Sequence, residues 1–206
     1  MRFRDLGIGA GDPVSRLREL RTRALNFDPA TAGGPGWHRD DYRQQLPAEE
    51  PGGPEPNGSW AAATRLSRAF AFADPSLVEA WYDETIPLRQ RDMLLILHVL
   101  GLRVYAGARV SGEGDETRVA DGRTARVSFW SYRTLEGHPE AGQRDYEIWK
   151  WLDTGAVEFR THSYSRPAKA NAIFAVGIRL LGPHKQVEFG RRACARMAAL
   201  IAAELA

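Results

Sequence analysis

The chain has 206 residues, 43% of them hydrophobic, the length and apolar content of one domain with a sizeable core. Its 28 basic and 26 acidic residues leave a net charge of +2 and are mixed along the chain, so there is no basic stripe to track a phosphate backbone, and nucleic acid is not an expected partner. The single cysteine, Cys194, excludes an internal disulfide, and no stretch approaches a signal-peptide core or the roughly eighteen apolar residues of a membrane span; the expectation is a cytoplasmic protein.

In chain order, Val14 to Asn26 predicts a short helix, with Asp12 as its cap and Pro13 in the first turn. The glycines at 7, 9 and 11 lack the preceding strand and the spacing of a dinucleotide fingerprint. Between Pro29 and Gly58 the chain holds six of its twelve prolines and six of its twenty glycines, which predicts a loop or lid without long regular elements. Trp37, His38 and Tyr42 within it are residues that a flexible linker rarely carries, so this part is expected to be pinned to the body, over a cavity mouth.

Ala63 to Phe72 reads as a strand. Asp74 and Pro75 then predict a helix start, with Leu77, Val78, Trp81 and Tyr82 as its apolar stripe. Asp92 to Leu100 fits a second short helix or inserted turn better than strict alternation. Leu102 to Ser111 reads as a strand, Gly112 to Asp115 as a turn and Glu116 to Ala120 as a short strand, with a hairpin at Asp121-Gly122.

Three runs then alternate with a period of two: Val127, Phe129 and Ser131; Tyr146, Ile148 and Lys150; Val157, Phe159 and Thr161. They are joined by a Gly-Pro loop holding Gly137, His138, Pro139, Glu140 and Gly142, and by a tight Asp153-Thr154-Gly155 turn, so an antiparallel meander follows. Pro167 stops the last strand. Ile173 to Leu181 reads as a helical region, broken at Gly182-Pro183. From His184 to Ala206 a helix resumes, with Val187, Cys194, Ala198, Ile201 and Leu205 on one stripe.

The segment Thr134-Leu135-Glu136-Gly137-His138-Pro139-Glu140-Ala141-Gly142, with Tyr146 and Ile148 on the next strand and Ser165-Arg166-Pro167 at its end, resembles the signature of the domain-of-unknown-function 1990 family. The resemblance runs from about Trp60 to the C-terminus. It implies an α+β, START-like helix-grip fold: a curved antiparallel sheet wrapped around a C-terminal helical segment, with a cavity between them. On this division residues 1–58 form an N-terminal helix and lid or extension, and 59–206 the helix-grip domain, within one structural domain overall. Ligand and reaction stay open.

His138 and Glu140 form the sharpest candidate pair, since a loop at a sheet's rim opens onto a pocket. As an acid/base pair, the Glu140 carboxylate would orient the imidazole and favour its charged form. Shape alone also explains them, with Glu140 capping amides and His138 packing across the turn. No third ligand accompanies them at metal-site spacing, so no metal and no cofactor is expected. Ser165 and Arg166 sit where strand passes into helix, as a clamp for a carboxylate or phosphate, or else as a cap and a surface ion pair. Tyr132 and Thr134, in phase with Trp130, line a pocket wall or belong to plain core.

P-loop, nucleophile-elbow and paired CxxC signatures are absent. The first expectation is therefore a protein that binds a small hydrophobic or aromatic molecule, with Ile173 to Leu181 as apolar wall and Tyr132, Thr134, His138, Glu140, Ser165 and Arg166 as polar anchors. A cyclase or dehydratase using His138 and Glu140 is the second. An interaction module whose partner is another chain or a second copy of itself, a homodimer, is the third.

Overall fold

The computed structural model describes residues 12–99, 101–168 and 172–206, and in the last helix it describes side chains from residue 187 onward. Seven strands form one antiparallel sheet: β1 (His38–Leu46), β2 (Val78–Trp81), β3 (Asp92–Val99), β4 (Leu102–Ala120), β5 (Arg123–Thr134), β6 (Glu140–Trp151) and β7 (Val157–Pro167). Their order across the sheet is β1-β7-β6-β5-β4-β3-β2. Among the described residues three α-helices accompany it: α1 (Pro13–Glu19), α2 (Ser59–Arg68) and α3 (Ala172–Glu204). The glycine-rich stretch at 7–11 lies outside the described residues.

The sheet curves around α2 and α3. Ala62 and Ala63 of α2 and Phe189, Ala193, Cys194, Met197 and Ile201 of α3 share one core with Met93, Leu95, Ala106, Val110, Trp130, Tyr146 and Phe159. Burying side chains of this size contributes about 1.5–3 kcal/mol each. Aromatic rings fill its middle: Tyr146 stands 4.7 Å from Trp130 and 4.6 Å from Phe72, and Phe70 closes the group 4.9 Å from Phe72. On the outer face Leu20, just past α1, covers Leu94, Ile96, Tyr105 and Leu135.

The meander β5–β6–β7 forms as its alternation predicts, with turns that suit their residues. Asp121 (φ 53°) and Gly122 (φ 72°) are both left-handed, as a two-residue hairpin turn needs. At the next turn Gly155 (φ 71°) lies against the Glu49 backbone, where a side chain has no room. Asp12 caps α1 through the amides of Val14 (3.2 Å) and Ser15 (3.0 Å), with Pro13 at its start.

Several elements differ from the sequence reading, each for a physical reason. The glycines and prolines of the 29–58 segment cluster at its two ends, and the gap between them holds β1, which pairs along its whole length with β7. Trp37 and Tyr42 are pinned there as expected: Trp37 packs on Phe27 at 5.5 Å, and Tyr42 lies within β1. Residues 63–68 are helical. Ser59, Ala62, Ala63 and Ser67 give α2 a buried face at helical spacing, which alanines blur in a hydrophobic pattern. The helix ends in a Schellman turn, with Ala71 N–H donating to Leu66 O, and Phe70 takes the left-handed place usual for glycine (φ 57°) so that its ring enters the core.

Asp74 starts no helix. Its carboxylate accepts from Ser76 N (2.9 Å) and Ser76 Oγ (2.7 Å) in a local turn, and Val78–Trp81 is β2. Residues 92–99 are strand β3, whose alternation is hidden because both faces are buried, Met93 and Leu95 inward and Leu94 and Ile96 beneath the N-terminal segment. Gly112–Asp115 continues β4 through a bulge between Val110 and Gly112, and the Phe129 ring lies over Gly114 from the facing strand. Finally the helical backbone of α3 continues through Gly182-Pro183, although the proline removes one donor and crowds the preceding turn; the remaining turns of a 33-residue helix and its packing offset that loss. Its described buried stripe is Phe189, Ala193, Cys194, Met197 and Ile201, while Leu205 is exposed.

Candidate functional site

Inside the sheet, the phase of each strand decides which side chains face α3. On β6 that phase is Arg144, Tyr146, Ile148 and Lys150; on β7 it is Val157, Phe159, Thr161, Ser163 and Ser165; on β1 it is His38, Asp40, Tyr42, Gln44 and Leu46. Cross-strand pairing lines these up in rows. Tyr132 stands opposite Arg144, Arg144 opposite Ser163, and Ser163 opposite Asp40. The neighbouring row is Trp130, Tyr146, Thr161 and Tyr42.

These rows carry an unusual amount of buried polarity for an inner face. Arg144 is 8% exposed and Asp40 8%. The Arg144 guanidinium donates from Nη2 to Ser163 Oγ at 3.2 Å and lies 5.0 Å from the centre of the Phe189 ring on α3. Among the described residues no carboxylate forms an ion pair with it. Burial works against its charge, yet Tyr146, Tyr132, Glu140 and Asp40 around it more than offset that, so its pKa lies above the ordinary arginine value. Asp40 Oδ1 meets His38 Nε2 at 3.2 Å and accepts from the Tyr42 hydroxyl at 3.5 Å. Asp40 Oδ2 and the Thr161 hydroxyl are buried without a hydrogen-bond partner, while the Tyr146 and Tyr132 hydroxyls interact with each other. Burial pushes the Tyr146 phenol well above its usual pKa, and the Tyr132 phenol upward in the same way. On the helix side, Gly190 lets the Tyr42 ring lie against the α3 backbone.

Of the residues singled out from sequence, Tyr132 and Ser165 stand on this inner face, both buried. Thr134 is buried but occupied: its hydroxyl meets Asn26 Oδ1 at 2.6 Å and accepts from Gly142 N at 2.8 Å. His138 is buried in the β5–β6 turn, and its contact with Glu140 runs through the backbone, the Glu140 N–H donating to His138 Nδ1 at 3.0 Å. Burial pushes this imidazole down to about 4, the opposite sign to the shift expected from a facing carboxylate. Glu140 already opens β6, and its carbonyl accepts from Asn26 Nδ2 at 2.8 Å. Arg166, one residue beyond Ser165, takes the opposite face and stacks on Trp37 at 4.5 Å. The expected apolar wall from Ile173 to Leu181 falls on side chains outside the described residues.

Arg144, Asp40, Tyr146, Thr161 and Ser163 were not singled out as a site. A signal for Arg144 existed, since it sits two residues before Tyr146 in the phase of Ile148, where a charge is out of place. A groove of about 490 Å³ lies elsewhere, beside β2, lined by Phe70, Trp81, Tyr82 and Arg196 among others. Among the described residues no three His, Cys, Asp or Glu side chains gather to hold a metal ion, and no helix is long and apolar enough to cross a membrane.

The sequence matches the domain of unknown function DUF1990 over residues 24–197. The chain belongs to the DUF1990 family. The match begins well before Trp60, so the family pattern includes the β1 segment that the sequence reading set apart. No curated protein matches the chain. Among solved structures, norcoclaurine synthase from Thalictrum flavum, a point mutant with a transition-state analogue, aligns with a TM-score of 0.52 at 8% identity, over 82% of this chain and 97% of that one. A hypothetical protein of Helicobacter pylori aligns with a TM-score of 0.46 at 11% identity, over 85% and 95%. Human STARD10 aligns with a TM-score of 0.32 at 10% identity, over 90% and 80%. Identities this low speak for fold alone. This DUF1990 chain has the START-like helix-grip fold, a curved antiparallel sheet closed by a C-terminal helix.

Proposed function

We propose that this DUF1990 protein binds a small hydrophobic molecule between α3 and the inner face of β1, β7, β6 and β5. The observation that carries the reading is the division of that face. Toward α2 it is filled by Phe70, Phe72, Trp130 and Phe159, whereas under α3 it presents the rings of Tyr42 and Tyr132, with Phe189 of that helix over Arg144, beside buried polar atoms left unpaired. A protein that only needed a core gains nothing from such atoms, because each costs about 1–3 kcal/mol when it stays unsatisfied. An apolar wall with a few convergent polar groups is the general make-up of a small-molecule site. A transition-state analogue bound to norcoclaurine synthase, of the same fold, supports the reading by analogy.

The test is fluorescence titration with N-phenyl-1-naphthylamine, an uncharged probe that brightens in apolar surroundings. The expected result is a saturable rise at one probe per chain, lost when Ser163→Phe fills the face in a variant that still melts cooperatively. An unchanged spectrum in the wild type overturns the reading.

A further inference from the structure

We infer that Arg144 is the anchor for a carboxylate, so that the molecule bound on this face is an apolar monocarboxylic acid. The inference rests on the binding reading above and adds the chemistry of the ligand's polar end. An arginine inside a helix-grip sheet is costly to desolvate, and although Asp40 and Glu140 favour its charge, neither forms an ion pair with it. Its protein partners among the described residues amount to one neutral hydroxyl, Ser163 Oγ, and the face of Phe189. A guanidinium offers five donors in a planar fork that matches the two oxygens of a carboxylate.

The neighbours fit the same guest. Tyr146 pairs with Thr161 across β6 and β7, directly beside the Arg144–Ser163 pair, and the Thr161 hydroxyl is buried and unpartnered. Residues at such positions lie within about 4.5–8 Å of one another on one face. A free hydroxyl donor and a guanidinium therefore share one patch, with the aromatic surface of Phe189 beside it for an apolar body. Asp40 sets the charge of the guest. It lies across Ser163 from Arg144, with Oδ2 buried and unpartnered, and its proximity disfavours a second negative charge. The geometry thus selects a carboxylate over a phosphate monoester.

Calorimetric titration with matched probes tests this: 1-naphthylacetate, its amide 1-naphthylacetamide, and 1-naphthyl phosphate. The wild type is expected to bind the acid about tenfold or more tightly than the amide, with the phosphate no tighter than the acid. Arg144→Met should erase the preference. Thr161→Val, which keeps shape and removes one hydroxyl, should cost the acid about threefold and the amide little; it serves where Arg144→Met does not fold. Equal affinity for acid and amide, with the uncharged probe still bound, overturns the carboxylate anchor and leaves the binding reading standing. Tightest binding of the phosphate overturns the choice of a single charge. Failure of every probe, the uncharged one included, overturns both.

Discussion

Strand β6 carries two buried cations on the same face, and the protein treats them in opposite ways. Lys150 is fully buried and its Nζ donates to Glu49 Oε2 at 2.5 Å and to Glu50 O at 3.0 Å. Glu49 in turn accepts from Trp60 N at 2.6 Å and Glu55 N at 3.0 Å, so one ion pair fastens the connection between β1 and α2 onto the sheet. Arg144, six positions earlier and about 20 Å away along the strand, has a hydroxyl and a ring instead. A closed charge network marks a structural end of the strand. An open one marks the end where the fold has left interaction capacity for something else.

The largest expected effect sharpens that contrast. Lys150→Met leaves the Glu49 carboxylate buried without its counterion and should destabilise the fold by about 3–5 kcal/mol, read as a fall of about 10 °C in melting temperature. Arg144→Met removes a cation that Asp40 and Glu140 favour by their charge but do not pair with directly, so it should cost less than half as much as Lys150→Met. A comparable loss in both variants would break the comparison.

Next in size is a pH effect at the Arg144 end. His138 is buried and its folded pKa, about 4, lies below the ordinary value of 6.5. The folded state therefore binds fewer protons than the unfolded chain below 6.5. This contribution to stability is complete above 6.5 and is lost as the pH falls toward 4, by about 2 kcal/mol between pH 7 and pH 5. Denaturation at the two pH values should show that extra loss in the wild type and not in His138→Gln.

Smaller still, Gly190→Ala sets a methyl group against the Tyr42 ring. Overpacking there should cost about 1–2 kcal/mol and weaken binding of the uncharged probe, because Tyr42 lies in the row beside Asp40. Arg166→Ala removes only a stacked cation on the opposite face, so about 0.5–1 kcal/mol of stability and no change in probe affinity is expected, checked by the same titration.

The contrast between the two ends also explains what could be read before the structure. The meander β5–β7 was legible because one face of it is more polar than the other, and the Asp121-Gly122 and Asp153-Thr154-Gly155 turns carry their own chemistry. Strand β3 was not, since apolar neighbours on both faces erase the period of two. Strand β1 was masked by prolines and glycines that flank it rather than interrupt it. In the site, the sequence put Tyr132 in phase with Trp130 but did not say which face of the sheet the two share. Arg144 was missed because the alternating run was begun at Tyr146. Asp40, Thr161 and Ser163 become neighbours of Arg144 only through strand pairing across β1, β7 and β6, a register that local sequence does not state.

Whether the Arg144 end is open for a guest can be read from native mass spectrometry of gently purified wild type and Arg144→Met, each set against its denatured mass. An open site should yield a reproducible non-covalent adduct on the wild type, with the mass of a small organic acid, that is absent from the variant. Bare protein in both samples, or the same adduct on both, would mean that Arg144 holds no guest.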